Sequence, residues 1–138
     1  MANINVQTLY EQKQREFKVR GAGLTRFRND FIAAANRTAQ RINVLANLSS
    51  QIAYITNTEA STTLSIDEKY ESVVSDGVSL FLLNMGQRPA SGQDVNLKTL
   101  EQEFKDGIGS IEYNIRNTAS LADTDDDTTG IIGLGAIG

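Results

Sequence analysis

Apolar residues recur at three- and four-residue steps in four stretches of the chain, the spacing that gathers side chains on one face of an α-helix. The first stretch begins at Asn3 or Asn5, either of which can act as an N-cap, and runs to about Arg20. It places Val6, Leu9, Tyr10 and Phe17 roughly on one side. That stripe is thin, and Gly21-Ala22-Gly23 ends it. Such an arm is expected to need another surface to stay helical. The second stretch, about Thr25 to Asn47, is stronger, with Phe27, Phe31, Ala34, Ala35, Thr38, Ile42 and Leu45 in helical register behind a Thr25 cap. Arg26, Asp30, Arg37 and Arg41 line another face, where Asp30 lies one turn from Arg26.

The period then changes. Ser49 to Ser65 is rich in Ser, Thr and Ile, and Ile52, Tyr54 and Thr56 alternate with Ala53, Ile55 and Asn57. A short β-hairpin over about 51–64 is expected, turning at Asn57-Thr58-Glu59-Ala60. Two strands alone are marginal in water, so the hairpin must lean on helices or on another chain. Helical spacing returns at Ser65-Ile66-Asp67-Glu68, which reads as a capping box, with Asp67, Glu68 and Glu71 complementing the helix start. Ile66, Tyr70, Val73, Val74, Gly77, Phe81 and Met85 face one way, and Val78 to Leu83 is nearly apolar all round. This is the expected central helix, closed by Gly86 and Pro89.

After a Ser91-Gly92 loop, a last helix is expected from Asp94 or Asn96 to about Ala122. Leu97, Leu100, Phe104, Ile108, Ile111 and Ile115 form its stripe, with Glu101–Lys105 and Glu112–Arg116 as outer charge pairs. Gly107 and Gly109 mark a close helix crossing or a bend. The fold class predicted is mainly α. A four-helix bundle-like domain spans residues 1–122, with a short β-hairpin between the second and third helices and an extended C-terminal tail over 123–138. Within that tail, Asp123 to Thr129 is an acidic spacer without apolar residues. Gly130 to Gly138 alternates glycine with apolar bulk. Ile131, Ile132, Leu134 and Ile137 are the candidate contacts for another protein chain, with Gly130, Gly133 and Gly135 allowing its backbone to come close.

Composition narrows the chemistry. At 138 residues the chain fits one domain. It has no cysteine and no histidine, which removes disulfides, thiolate or imidazole metal ligands and any Ser-His or Cys-His pair. No run approaches the roughly 18 apolar residues of a membrane helix, and Met1-Ala-Asn-Ile-Asn5 does not read as a secretory signal. No enzyme activity, cofactor, metal or membrane contact is therefore expected. The net charge of −4 is unevenly spread. Glu11 to Arg41 holds eight basic residues against three acidic ones, a local +5 that leaves −9 for the rest. A segment of that kind can follow nucleic acid phosphates, meet acidic regions of neighbouring copies, or simply be a solvated helix face.

The remaining motifs carry little. Gly133-Leu-Gly135-Ala-Ile-Gly138 matches a dinucleotide fingerprint, but the mechanism needs a helix after the last glycine and the sequence holds none. Asp123, Asp125 and Asp127 alternate like the start of a calcium loop, yet Thr128 and Leu134 occupy the positions that require glycine and a bidentate acid. The sequons at Asn36 and Asn47 fall on or beside a predicted helix. Glu68, Glu71 and Asp76 could in principle form an acid–base pair, but helix capping accounts for Glu68 and a charged exposed face for Glu71.

Three segments together resemble the head-to-tail adaptor (connector, or neck) proteins of tailed bacteriophages. They are Phe31-Ile-Ala-Ala-Ala-Asn-Arg-Thr-Ala-Gln-Arg-Ile-Asn43, Leu64-Ser-Ile-Asp-Glu-Lys-Tyr-Glu71, and Asp76-Gly-Val-Ser-Leu-Phe-Leu-Leu83, with the Ile/Thr-rich stretch between the first two. The likeness covers roughly Thr25 to Asn117; the N-terminal helix and the Gly-Ile tail lie outside it. It implies a helical bundle, a homo-oligomeric ring (a dodecamer in that family), and location in the virion neck after synthesis in the bacterial host cytoplasm. The implied partners are the portal protein and a tail or nozzle protein. On this reading Arg26, Arg37 and Arg41 are electrostatic contacts for an acidic neighbour or exiting DNA. The alternative is a small nucleic-acid-binding protein using the basic segment 13–41.

Overall fold

The computed structural model describes residues 2–18, 21, 23–89 and 96–127, with side chains through residue 117. In chain order the elements are β1 (Asn3–Asn5), α1 (Val6–Phe17), α2 (Gly23–Leu45), β2 (Thr63–Asp67), a 3-10 turn (Glu68–Tyr70), α3 (Glu71–Asn84) and α4 (Leu97–Asp127). The fold is mainly helical and bundle-like, as the periodicity predicts. A two-stranded antiparallel ribbon also forms, and its β2 strand lies between α2 and α3.

The ribbon's other strand is not the one expected. β2 pairs with β1 from the N-terminus, in the register Asn3↔Asp67, Ile4↔Leu64 and Asn5↔Thr63. Ile4, Leu64 and Ile66 turn inward and are buried. Residues 51–59 form no strand. Their backbone is held instead by two asparagines, two turns apart on α2. Asn43 donates to the Ile52 carbonyl at 3.0 Å and accepts from the Ile52 amide at 2.8 Å. Asn36 does the same to Ile55, at 2.9 and 2.8 Å. Each side-chain amide thus acts as a strand partner of one residue and buries Ile52 and Ile55 against the helix. The predicted turn does form: Asn57 accepts from the Glu59 amide, and the Thr62 amide donates to the Glu59 carbonyl.

Pairing with β1 also displaces the capping box. Ser65 is extended within β2, so the cap falls to Asp67, whose carboxylate accepts from the Lys69 amide at 3.1 Å. Other boundaries shift by a few residues. α1 is capped by Asn5 and ends at Phe17, with Lys18 left-handed behind it. α2 begins at Gly23, placing Thr25 inside the helix. Asn96 caps α4 through the Thr99 amide. At its far end α4 continues to Asp127, so Asp123–Asp127 extends the helix where an extended spacer is predicted. α3 stops as expected: the Gln87 amide donates to Leu82 and the Gly86 amide to Leu83, a Schellman closure that needs the positive φ of 96° at Gly86.

The core joins all four helices. On α1, Val6, Leu9 and Phe17 are buried, and the rings of Tyr10 and Phe17 pack on Phe27 and Phe31 of α2. The arm's missing surface is therefore its own chain. Lys13 completes the attachment: it is 2% exposed, and its ammonium donates to Ser75 and Ser79 of α3, both at 2.7 Å, and to Glu16 at 3.1 Å. All three ammonium protons have acceptors, which is what allows the charge to be buried. Deeper in, α2, α3 and α4 converge on Gly77. A Cβ there would lie 2.6 Å from both Thr38 and Phe104. Gly107 meets Val73 in the same way, whereas Gly109 faces open space. The glycine pair in α4 thus contains one close crossing and one unused position.

Two predictions follow from this packing. Gly77→Ala forces a methyl into an occupied crossing and is expected to cost about 1–3 kcal/mol in denaturant unfolding. Gly109→Ala should gain about 0.5–1 kcal/mol from helix propensity alone. Equal effects at the two sites would refute the crossing. Asn43→Asp removes the donor facing the Ile52 carbonyl and should lower stability by about 1–3 kcal/mol; an unchanged unfolding midpoint at neutral pH would refute the clasp.

Candidate docking surface

The second half of α2 presents different chemistry on its two sides. Thr38, Ala39, Ile42 and Asn43 face the core. Arg37, Gln40, Arg41, Val44 and Leu45 point outward and, together with Phe81 of α3, line an open groove of about 490 Å³. Val44 is 66% exposed and Leu45 48%. Leu45 fits the predicted core stripe by spacing alone, but the helix ends there and Ala46 is the residue buried instead. Two large aliphatic side chains are therefore left in solvent beside two guanidinium groups.

Phe81 forms the groove floor. Its ring stands edge-on to Phe104 at 6.2 Å, and the Arg41 guanidinium lies 5.6 Å above its centroid. That stacking holds Arg41 over an apolar surface while leaving its N–H groups free to reach an anion. Among the described residues, neither Arg37 nor Arg41 has a carboxylate within ion-pair distance. The groove is thus cationic and apolar together.

The other predicted contacts separate from it. Arg26 lies fifteen residues before Arg41 on the same helix, roughly 22 Å away along the axis. It pairs with Asp30 at 3.6 Å, and Asp30 also accepts from Gln87. Arg37 and Arg41 therefore share a surface and Arg26 does not. Gly130, Ile131, Ile132, Gly133, Leu134, Gly135 and Ile137 lie outside the described residues. Sequence reasoning missed Val44 and Phe81. The only signal was an apolar pair, Val44-Leu45, at a helix end where the stripe has room for one.

Of the carboxylates considered for acid–base chemistry, Glu68 lies in the 3-10 turn and Glu71 opens α3. Asp76 on α3 has its pKa raised, chiefly by burial and then by Glu103 of α4, with Lys13 of α1 opposing. Among the described residues there is no cluster of three or more side chains suited to a metal ion, and no helix long and apolar enough to cross a membrane. No family model, curated protein or solved structure matches the chain.

The raised pKa of Asp76 has a defined sign. The folded state holds its proton more tightly than the unfolded state, so this group favours folding at acid pH and opposes it once ionised. Asp76→Asn should raise the thermal midpoint at pH 7, with the gain shrinking as pH falls towards the ordinary aspartate value of 3.8. A gain that grew on acidification would contradict the placement of Asp76.

Proposed function

We propose that the chain is a structural adaptor of a tailed bacteriophage, with copies standing side by side as a ring between portal and tail in the virion neck. The groove between α2 and α3 carries this reading. It couples exposed aliphatic bulk to arginines that lack carboxylate partners among the described residues, the composition of a protein-binding surface. It lies on the helix that resembles the adaptor proteins, beside the asparagine clasps at Asn36 and Asn43 in the same motif.

The basic segment supports a nucleic-acid role less well than its charge suggests. Lys13 is buried under Ser75 and Ser79, and Arg26 is engaged by Asp30. The arginines that remain in the groove stand among Val44, Leu45 and Phe81, a surface better matched to an acidic protein segment than to a sugar–phosphate backbone. The chain therefore acts by binding proteins, through this surface and its C-terminal segment, without catalysing a reaction.

Mass measurement by light scattering, of the full chain alone and mixed with the portal protein of the same phage, tests the assignment. A multi-copy complex containing both proteins is expected. Truncation after Asp127 should leave thermal unfolding unchanged, since Ile111 is the last buried residue of α4 among those whose side chains are described, while abolishing that complex. A full chain that ignores the portal protein but binds DNA with a steep salt dependence would replace the adaptor reading with the nucleic-acid one.

A further inference from the structure

We infer that the groove of Arg37, Arg41, Val44, Leu45 and Phe81 on one copy receives the segment Asp125–Ile137 of an adjacent copy. The inference rests on the adaptor reading only in requiring copies to stand next to one another.

Charge and polarity agree in kind and in order. The groove offers two guanidinium groups followed along α2 by Val44 and Leu45, roughly 11 Å on from Arg37 and roughly 5 Å on from Arg41 at the rise of a helix. The segment offers Asp125, Asp126 and Asp127, with Ile131 four and Ile132 five residues after Asp127, roughly 13 and 17 Å in extended chain. The acidic end and the apolar end of the segment therefore run in the same order as the basic and apolar ends of the groove. Val44 and Leu45 gain cover that the described residues of their own chain do not give them, and Arg37 and Arg41 gain carboxylates.

The course of α4 points to a different copy. Phe104 packs on Phe81 at the groove floor, while Gly107 already lies against Val73, eight residues nearer the start of α3. α4 thus leaves the groove and heads past the opposite end of α3. Among the side chains described, its last buried residue is Ile111, and the helix continues to Asp127. From Phe104 to Asp127 the helix advances about 35 Å. The chain from Asp127 to Ile132 covers only about 17 Å when fully extended. Ile131 and Ile132 therefore fall well short of their own groove, and an adjacent copy's groove is the one they can fill.

The absence of cysteine makes the test direct. Val44→Cys and Ile132→Cys are prepared as separate full-length variants, mixed, oxidised and run on a denaturing gel. A covalent dimer is expected from the mixture, in several-fold excess over either variant alone. Adding Arg37→Glu and Arg41→Glu to the Val44→Cys chain should reduce its yield several-fold, as should raised salt. A mixture that cross-links no better than its components would overturn the inference. So would a Val44→Cys/Ile132→Cys double variant that closes within one chain at high dilution. If the cross-link fails while the chain still binds the portal protein, the groove assignment falls and the adaptor reading stands. If it forms while the portal protein is ignored, the reverse holds.

Discussion

The close approach of three helices at Gly77 sets the geometry of everything else. With hydrogen in place of a side chain, α3 comes near enough to α2 and α4 for Thr38 and Phe104 to occupy the space a methyl would take. Phe104 is thereby brought edge-on to Phe81, and Phe81 is brought under Arg41. A wider crossing would separate α2 from α3, and the groove floor would drop away from its walls. The candidate docking surface is thus a by-product of how tightly the core is packed.

Long periodic elements were legible in the sequence because burial on one face enforces their spacing. The central place of α3, the Gly86 closure and the Asn57 turn all follow from local chemistry that one segment contains within itself. The ribbon was not legible for the converse reason. Asn3-Ile-Asn5 has a single apolar residue and no period of its own, and its strand character comes entirely from a partner some sixty residues away. The alternating residues after Ser49 did signal extended backbone. What alternation could not say is that the hydrogen-bonding partner would be two asparagine side chains.

The docking surface was half legible. Arg37 and Arg41 stood out as a basic stripe, but counting charge grouped them with Lys13 and Arg26, and burial and pairing separate these. Lys13 is the instructive case. In sequence it belongs to a solvated basic run; in the fold it is a buried anchor whose three acceptors include two hydroxyls on α3, more than sixty residues later. Hydroxyl groups at Ser75 and Ser79 carry no signal that a lysine will seek them.

The same long-range attachments give the chain an order of assembly. The clasps from Asn36 and Asn43 reach only nineteen and nine residues ahead, so α2 and the segment it holds can settle as soon as both exist. The N-terminal arm cannot. During translation at about 5–20 residues per second, β1 is made some 3–13 s before β2, and Lys13 waits a similar time for Ser75 and Ser79. Through that interval the arm's apolar side chains, Ile4, Val6 and Leu9, have no completed core to enter. The region synthesised early is the region that closes late, and that delay is when an arm can find the wrong surface.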